Sequence, residues 1–274
     1  ARSSARGRAS PSSGARRRSG MPLDASNPEP SAAPTVPRRR WPTALGTLAL
    51  FVVLAMVHTW PLASAPGRLS RNDTADTVLH EWIMAWVAHQ LPRDPGRLFE
   101  ANIFYPDHGA LAYSESLVLQ GVAAAPMLWL GASPVLAYNI LLLAGFALTG
   151  WAMCLVVSRW TGDWPDGVAS GVIVAFNAHT LTRLPHLQAQ HAQFLPLALF
   201  ALDALLGTRR WSAAAWLAVA IALQGLASVY LLVFTAIALA VGVAIRPEDW
   251  IGGRLRHVVP KLTFATYQQL FTQP

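Results

Sequence analysis

Long apolar segments alternate with shorter polar intervals along most of this chain. Residues 43–65 contain no charged side chain apart from His58 when it is protonated. That length is enough to cross the apolar core of a bilayer, about 30 Å thick, as a helix. Further apolar segments cover residues 116–131, 134–158, 167–179, 194–206 and 211–245. The pattern predicts an all-α fold, a polytopic bundle of transmembrane helices.

The last apolar segment is too long for one ordinary crossing. It contains the sequence GLAS at residues 225–228, where a glycine and a serine interrupt the run of large apolar side chains. This stretch predicts a break between two helices.

A polar interval at residues 66–115, called here the first polar loop, follows the first apolar segment. Within it, apolar residues recur at roughly helical spacing, with Trp82 adjoining the same face: Val78, Ile83, Trp86, Val87 and Leu91. The spacing predicts an amphipathic helix lying on the membrane surface. Asp73 and Asp76 fall at its N-terminal end, where free amides and the helix dipole favour a carboxylate.

Composition agrees with a membrane protein, since 53% of the residues are hydrophobic and only 13% are charged. The formal charge of +7 lies entirely in residues 1–40, which hold nine Arg against Asp24 and Glu29. A basic tail before the first span predicts a cytoplasmic N-terminus, and its Ser, Pro and Ala content predicts disorder. No aromatic residue precedes Trp41 to stack on bases, which argues against nucleic-acid binding.

A signal-peptide interpretation of the first span is the alternative to a retained anchor, with cleavage after Ala65. Pro66 directly after that point disfavours it, and the apolar run is longer than a usual signal core. The single cysteine, Cys154, lies in an apolar segment and predicts neither a disulfide nor a thiolate metal site.

The positions of later arginines bear on which segments cross the membrane. If every segment crossed, Arg159, Arg209 and Arg210 would face outward, against the positive-inside bias. A short segment 116–131 that re-enters or lies in the interface removes this conflict. The loop 180–193 then faces outward, on the same side as the first polar loop.

Several ordered segments carry a resemblance to a known family. They are Asp76 to Trp82 with Trp86, LFEANIFYP at 98–106, LAYSE at 111–115, HLQ at 186–188 and PLAL at 196–199. Over about residues 42–245 the chain resembles bacterial integral-membrane glycosyltransferases of the GT-C superfamily, which use polyprenyl-phosphate-linked sugars.

The resemblance implies a GT-C-like transmembrane domain at residues 41–246 in the bacterial inner membrane. It also implies a sugar donor on a polyprenyl phosphate and an unidentified acceptor on the outer face. Relatives usually continue through further spans, so residues 247–274 are expected to be a polar segment of a longer enzyme. Residues 1–20 precede Met21, and the sequence leaves two alternatives for them, an upstream extension or the edge of a fragment.

In this family the proposed catalytic group is an acidic residue in the first outward loop. Asp76 occupies the matching place, with Asp73 as the second candidate, and its carboxylate would take a proton from the acceptor hydroxyl. Arg183 and His186 are candidates for stabilising charge on the leaving phosphate, and Gln188 of the HLQ segment for substrate binding. The ordinary alternatives are a helix cap for the aspartate and headgroup anchoring for the basic residues.

Glu115 stands where the first polar loop returns to an apolar segment. It is either a surface cap or a second acidic group of the site. With Asn102, Tyr105 and Tyr113 it is a candidate for binding sugar, because aromatic faces and amides suit a carbohydrate. Tyrosine at a membrane interface is the alternative.

A metal site is the main competing chemistry. His179, His186 and His191 could join the acidic residues Asp73, Asp76 and Glu115 on the same side. However, His186 and His191 are five residues apart, which places them about 140° apart on a helix at ~100° per residue. Neither an HExxH motif nor a Cys/His zinc spacing occurs. We expect no cofactor, with loosely held Mg²⁺ or Mn²⁺ as the alternative.

Two other functions stay open: a non-catalytic transporter or binding protein for polyprenol-linked saccharides, and an inactive fragment. Charged side chains concentrate in outward loops rather than along the spans, which favours an enzyme. Asp203 is an exception within an apolar segment, and its place a turn before Arg209 and Arg210 allows an ion pair.

Overall fold

The computed structural model describes residues 40–70 and 75–250 of the 274-residue chain. Within these ranges all regular structure is helical, which confirms the all-α prediction. The predicted tail up to residue 39, the segment after residue 250 and Asp73 lie outside the described residues. The helices are α1 (Arg40–His58), α2 (Ala75–Gln90), α3 (Val118–Trp129), α4 (Pro134–Thr161), α5 (Trp164–Ala175), α6 (Ala178–Thr182), α7 (Phe194–Thr208), α8 (Trp211–Ala227), α9 (Val229–Ala244) and α10 (Pro247–Trp250).

The central element is α4, which packs against α1, α2, α3, α5 and α7. Its 28 residues span about 42 Å at ~1.5 Å per residue. Of the described helices, it is the one that is long and apolar enough to cross a membrane. Shorter apolar helices of 10–17 residues surround it, so the predicted further crossings stay a prediction.

Glycines let α5 and α1 approach α4 closely. A Cβ on Gly171 would lie 2.4 Å from the Gly150 carbonyl oxygen, and one on Gly150 would lie 2.6 Å from the Phe51 ring. At Gly167 it would lie 2.4 Å from the Cys154 carbonyl oxygen. These distances are far below van der Waals contact, so larger side chains would push the helices apart.

Helix α2 confirms the predicted helix in the first polar loop, but its apolar side packs against other helices, and the residues it buries are only partly those of the predicted apolar face. Val78 is 56% exposed, whereas Thr77 and His80 are buried beside the apolar residues of the same face. The reason is that α2 packs against α3 and α4. A Cβ on Gly121 of α3 would lie only 2.5 Å from Val87, so these two helices are also in close contact.

The predicted break in the last apolar segment is confirmed. Helix α8 ends at Ala227 and α9 begins at Val229, with Ser228 between them accepting a hydrogen bond from the Leu231 amide at 3.2 Å. The separate helix α3 has 12 residues, about 18 Å in length, which is too short to cross the bilayer core by itself.

The C-terminal ends of α4, α7 and α9 meet at one end of the bundle. Trp160 donates to the carboxylate of Asp203 at 3.2 Å, and Arg246 forms an ion pair with the same carboxylate. Asp203 thus forms an ion pair, which the sequence allowed, but its partner is Arg246 at the end of α9 and not Arg209 or Arg210. Several basic residues therefore share this end of the bundle.

Candidate active site

Two of the candidate residues from separate loops meet in the structure. Asp76 lies in the first turn of α2, and its carboxylate is 55% exposed. His186 lies in the loop after α6, and its Nε2 is 3.7 Å from Asp76 Oδ2. The first polar loop and the loop 180–193 therefore contact each other, and their location on the outer side of the membrane stays a prediction.

A second histidine completes this site, and the sequence interpretation missed it. His80 follows Asp76 by one helical turn, is buried, and its ring centroid is 6.4 Å from that of His186. Burial lowers the pKa of His80 to about 4, and the neighbouring His186 acts in the same direction. The nearby Pro185 carbonyl and the charge of Asp76 act in the opposite direction, but their effects are smaller. His80 is therefore neutral at pH 7.

The Nδ1 atoms of His80 and His186 have similar surroundings. Both atoms are buried and have no hydrogen-bond partner among the described residues. In a neutral imidazole that donates through Nε2, Nδ1 carries a lone pair. Because both Nδ1 atoms are covered by protein, the acceptor of this site that a ligand can reach is the half-exposed Asp76 carboxylate.

The backbone just before His186 is held from several directions. Tyr138 of α4 donates its hydroxyl to the Leu184 carbonyl at 2.9 Å, and the ring of His80 lies close to the carbonyl of Pro185. Gln190 donates to the Arg183 carbonyl at 2.9 Å. The loop that carries His186 is thus tied to both α2 and α4.

The two other candidates of this loop have different surroundings. Arg183 is exposed, and its carbonyl accepts from the His186 amide at 2.9 Å, so the two residues belong to one turn. Gln188 is buried, and its Oε1 has no hydrogen-bond partner in the described part of the chain. An exposed guanidinium in the same turn as His186 is suited to contact a phosphate.

Glu115 is occupied by a contact with α9. Ser228 Oγ donates to Glu115 Oε1 at 3.1 Å, and the amides of Val229 and Tyr230 donate to its two carboxylate oxygens at 3.0 and 3.1 Å. The carboxylate is buried and caps the N-terminus of α9, where a negative charge is favourable. It is thus a cap inside the protein rather than at the surface.

The remaining sugar-binding candidates lie on the exposed part of the first polar loop. Asn102 is exposed, Tyr105 is 97% exposed, and Tyr113 stacks on Phe104 with ring centroids 6.0 Å apart. Among the described residues, no hydrogen bond or ion pair joins these side chains to Asp76 or His186.

The histidines considered for a metal site do not converge. His179 is exposed, whereas His191 is buried and its Nδ1 is 3.2 Å from Gln193 Nε2. In residues 40–70 and 75–250, no group of three His, Cys, Asp or Glu side chains is arranged to hold a metal ion.

No family model, curated protein or solved structure matches this chain.

Proposed function

We propose that this chain belongs to a membrane glycosyltransferase that transfers a sugar from a polyprenyl phosphate to an acceptor hydroxyl at the outer face of a bacterial inner membrane. The observation that carries the proposal is the pairing of Asp76 with His186. Asp76 comes from the first polar loop, which the resemblance predicts to face outward, and His186 comes from the loop 180–193, for which the arginine distribution predicts the same side. Their meeting beside the exposed Arg183 gives one site with a base, a hydrogen-bond donor and a cation.

The membrane location is supported by the surface of the helices. α4 is long enough to cross a bilayer, and α9 exposes large apolar side chains along its length. Examples are Tyr230, Val233, Phe234, Ile237 and Val241. Exposed apolar area of this extent is unfavourable in water and ordinary against lipid. The basic residues near the ends of α4, α7 and α9 support a cytoplasmic location for that end.

The chemistry follows from the positions of the charges. The acceptor oxygen attacks the anomeric carbon of the donor sugar and forms the new glycosidic bond. The bond from that carbon to the phosphate oxygen breaks, and its electron pair leaves with the polyprenyl phosphate. Asp76 takes the proton of the acceptor hydroxyl, His186 orients the carboxylate through Nε2, and Arg183 stabilises the charge on the leaving phosphate.

A groove between α7 and α8 offers a place for an apolar tail. Its volume is about 320 Å³, and its lining is apolar, including Phe194, Phe200, Trp216 and Leu223. A methylene contributes about 0.8 kcal/mol when it leaves water, so even part of a prenyl chain in such a groove would add to donor affinity. Asp203 does not enter this groove, because it pairs with Trp160 and Arg246.

The test is turnover of radiolabelled polyprenyl-phosphate hexoses and pentoses by membranes that contain the endogenous acceptors. We expect Asp76→Asn to reduce release of polyprenyl phosphate by about 10²-fold or more, the range seen when a general base is removed. Asp94→Asn is the matched control, since Asp94 is exposed in the same loop and pairs only with Arg97, at 3.7 Å. Equal turnover by wild type and Asp76→Asn would remove the proposed base, and donor binding without turnover by wild type would indicate a carrier.

A further inference from the structure

Two buried side chains contact the loop directly before His186. Tyr138 donates to the Leu184 carbonyl at 2.9 Å. The ring of His80 lies close to the next carbonyl, that of Pro185, and edge-on to the His186 ring, with ring centroids 6.4 Å apart. The two side chains belong to different helices, α4 and α2. The loop is therefore held from two helices directly before His186, the partner of Asp76.

Both side chains are themselves rigidly placed. Tyr138 is 3% exposed, and its ring belongs to the main apolar core around α4. His80 is also 3% exposed and lies on the buried face of α2. These contacts make the two side chains supports of the loop rather than groups that react.

We propose that His80 and Tyr138 are positioning residues that hold the Leu184–Pro185 backbone so that His186 stays in contact with Asp76. The catalytic consequence rests on the proposed function. The positional consequence does not, because the contact between His186 and Asp76 can be measured without any turnover.

Loss of Tyr138 or His80 should change the reaction rate only by displacing His186. A misplacement of about 1 Å in a catalytic group can cost on the order of 10²-fold in rate. One of two supports is lost in Tyr138→Phe, so we expect kcat to fall about tenfold while KM for the donor stays unchanged. In a His186→Ala background the same substitution should have no further effect on kcat.

Matched variants separate positioning from general damage. Tyr230→Phe removes a hydroxyl from the 70% exposed Tyr230 and should leave kcat unchanged. His80→Phe removes the imidazole in the core, whereas His80→Gln keeps an N–H donor and should restore part of the activity. His89→Phe makes the same substitution as His80→Phe at an exposed position of the same helix.

The direct test is the ring ¹⁵N resonances of His186 in histidine-labelled protein in nanodiscs, assigned with His186→Gln. Asp76→Asn should displace these resonances in the wild-type background and by less than half as much in the Tyr138→Phe and His80→Phe backgrounds. Equal displacement in all three backgrounds, or none in the wild type, would overturn the positioning role. If Tyr138→Phe does not fold, His80→Phe carries the same comparison.

These experiments distinguish failure of the positioning role from failure of the proposed sugar transfer. A wild type that shows the Asp76-dependent displacement, weakened by Tyr138→Phe, supports the positioning role even if it transfers no sugar. A wild type that transfers sugar but shows the same displacement in every background retains the proposed function and overturns the positioning role.

Discussion

Glu115 and Ser228 are joined by a buried hydrogen bond of 3.1 Å at the start of α9. The same carboxylate accepts the amides of Val229 and Tyr230. The first polar loop therefore ends by capping a helix that begins more than a hundred residues later. This contact ties the loop that carries Asp76 to the last apolar hairpin of the described chain.

Glu115→Ala is expected to destabilise the protein by about 2–4 kcal/mol, since it removes a buried charged acceptor and leaves two amides and a hydroxyl without their partner. The measurement is the free energy of unfolding in detergent. Glu100→Ala is the control, because Glu100 is exposed and its His108 pair contributes little. Loss of turnover in Glu115→Gln at unchanged stability would instead assign Glu115 to substrate binding.

The buried histidines predict a stability that depends on pH. Burial lowers the pKa of both His80 and His191 from 6.5 to about 4. As pH falls below 6.5 the unfolded chain binds protons that the folded chain does not bind. Stability is therefore fully present above pH 6.5 and is lost as pH falls toward 4, by on the order of 3 kcal/mol for each histidine.

Thermal unfolding between pH 7.5 and 4.5 checks this dependence. We expect His80→Phe to flatten the decline, because the substituted side chain no longer takes up a proton on unfolding. His89→Phe on the exposed side of α2 should retain the wild-type decline. An unchanged pH dependence in His80→Phe would show that His80 is not a buried neutral histidine.

Gly171→Ala tests the close packing of α4 and α5. The new methyl group would lie 2.4 Å from a backbone oxygen of Gly150, which cannot move without shifting α4. We expect a loss of about 1–3 kcal/mol in unfolding free energy, as for other overpacked cores. Gly207→Ala has open space at its Cβ position and should be neutral or slightly stabilising. Similar stabilities for the two variants would contradict the packing.

Cysteine accessibility tests which end of the helical bundle faces the outside of the membrane and which faces the cytoplasm. The buried native Cys154 is first replaced by Ser. A cysteine at position 179 should then react with an impermeant maleimide from the outer face, and one at position 209 only from the cytoplasmic face. Reaction of both positions from one side would reject the proposed topology.

The sequence predicted the helical fold, the helix after Asp76 and the break before α9, because apolar spacing and a Gly/Ser interruption are local signals. The arginine bias also predicted one outward side for the loops that carry Asp76 and His186, and the structure brings these two residues into contact. It did not predict the buried face of α2, since Thr77 and His80 are covered by tertiary packing that apolar spacing does not encode.

The residues next to Glu115 in the sequence also did not identify its partner. Whether an isolated acid caps a helix or contacts a ligand depends on which distant element packs against it. The same holds for Asp203, for which the sequence allowed an ion pair but whose partner, Arg246, lies at the end of another helix. In both cases the residue type signalled a polar contact, and only the fold identified its partner.

The central claim is that Asp76 and His186 act as one unit in sugar transfer. A double-mutant cycle of kcat/KM with Asp76→Asn, His186→Ala and the double variant tests it most directly, since residues that act together show non-additive effects. We predict that the double variant is no slower than Asp76→Asn alone. Losses that multiply in the double variant would show that the two residues act independently and would contradict the account.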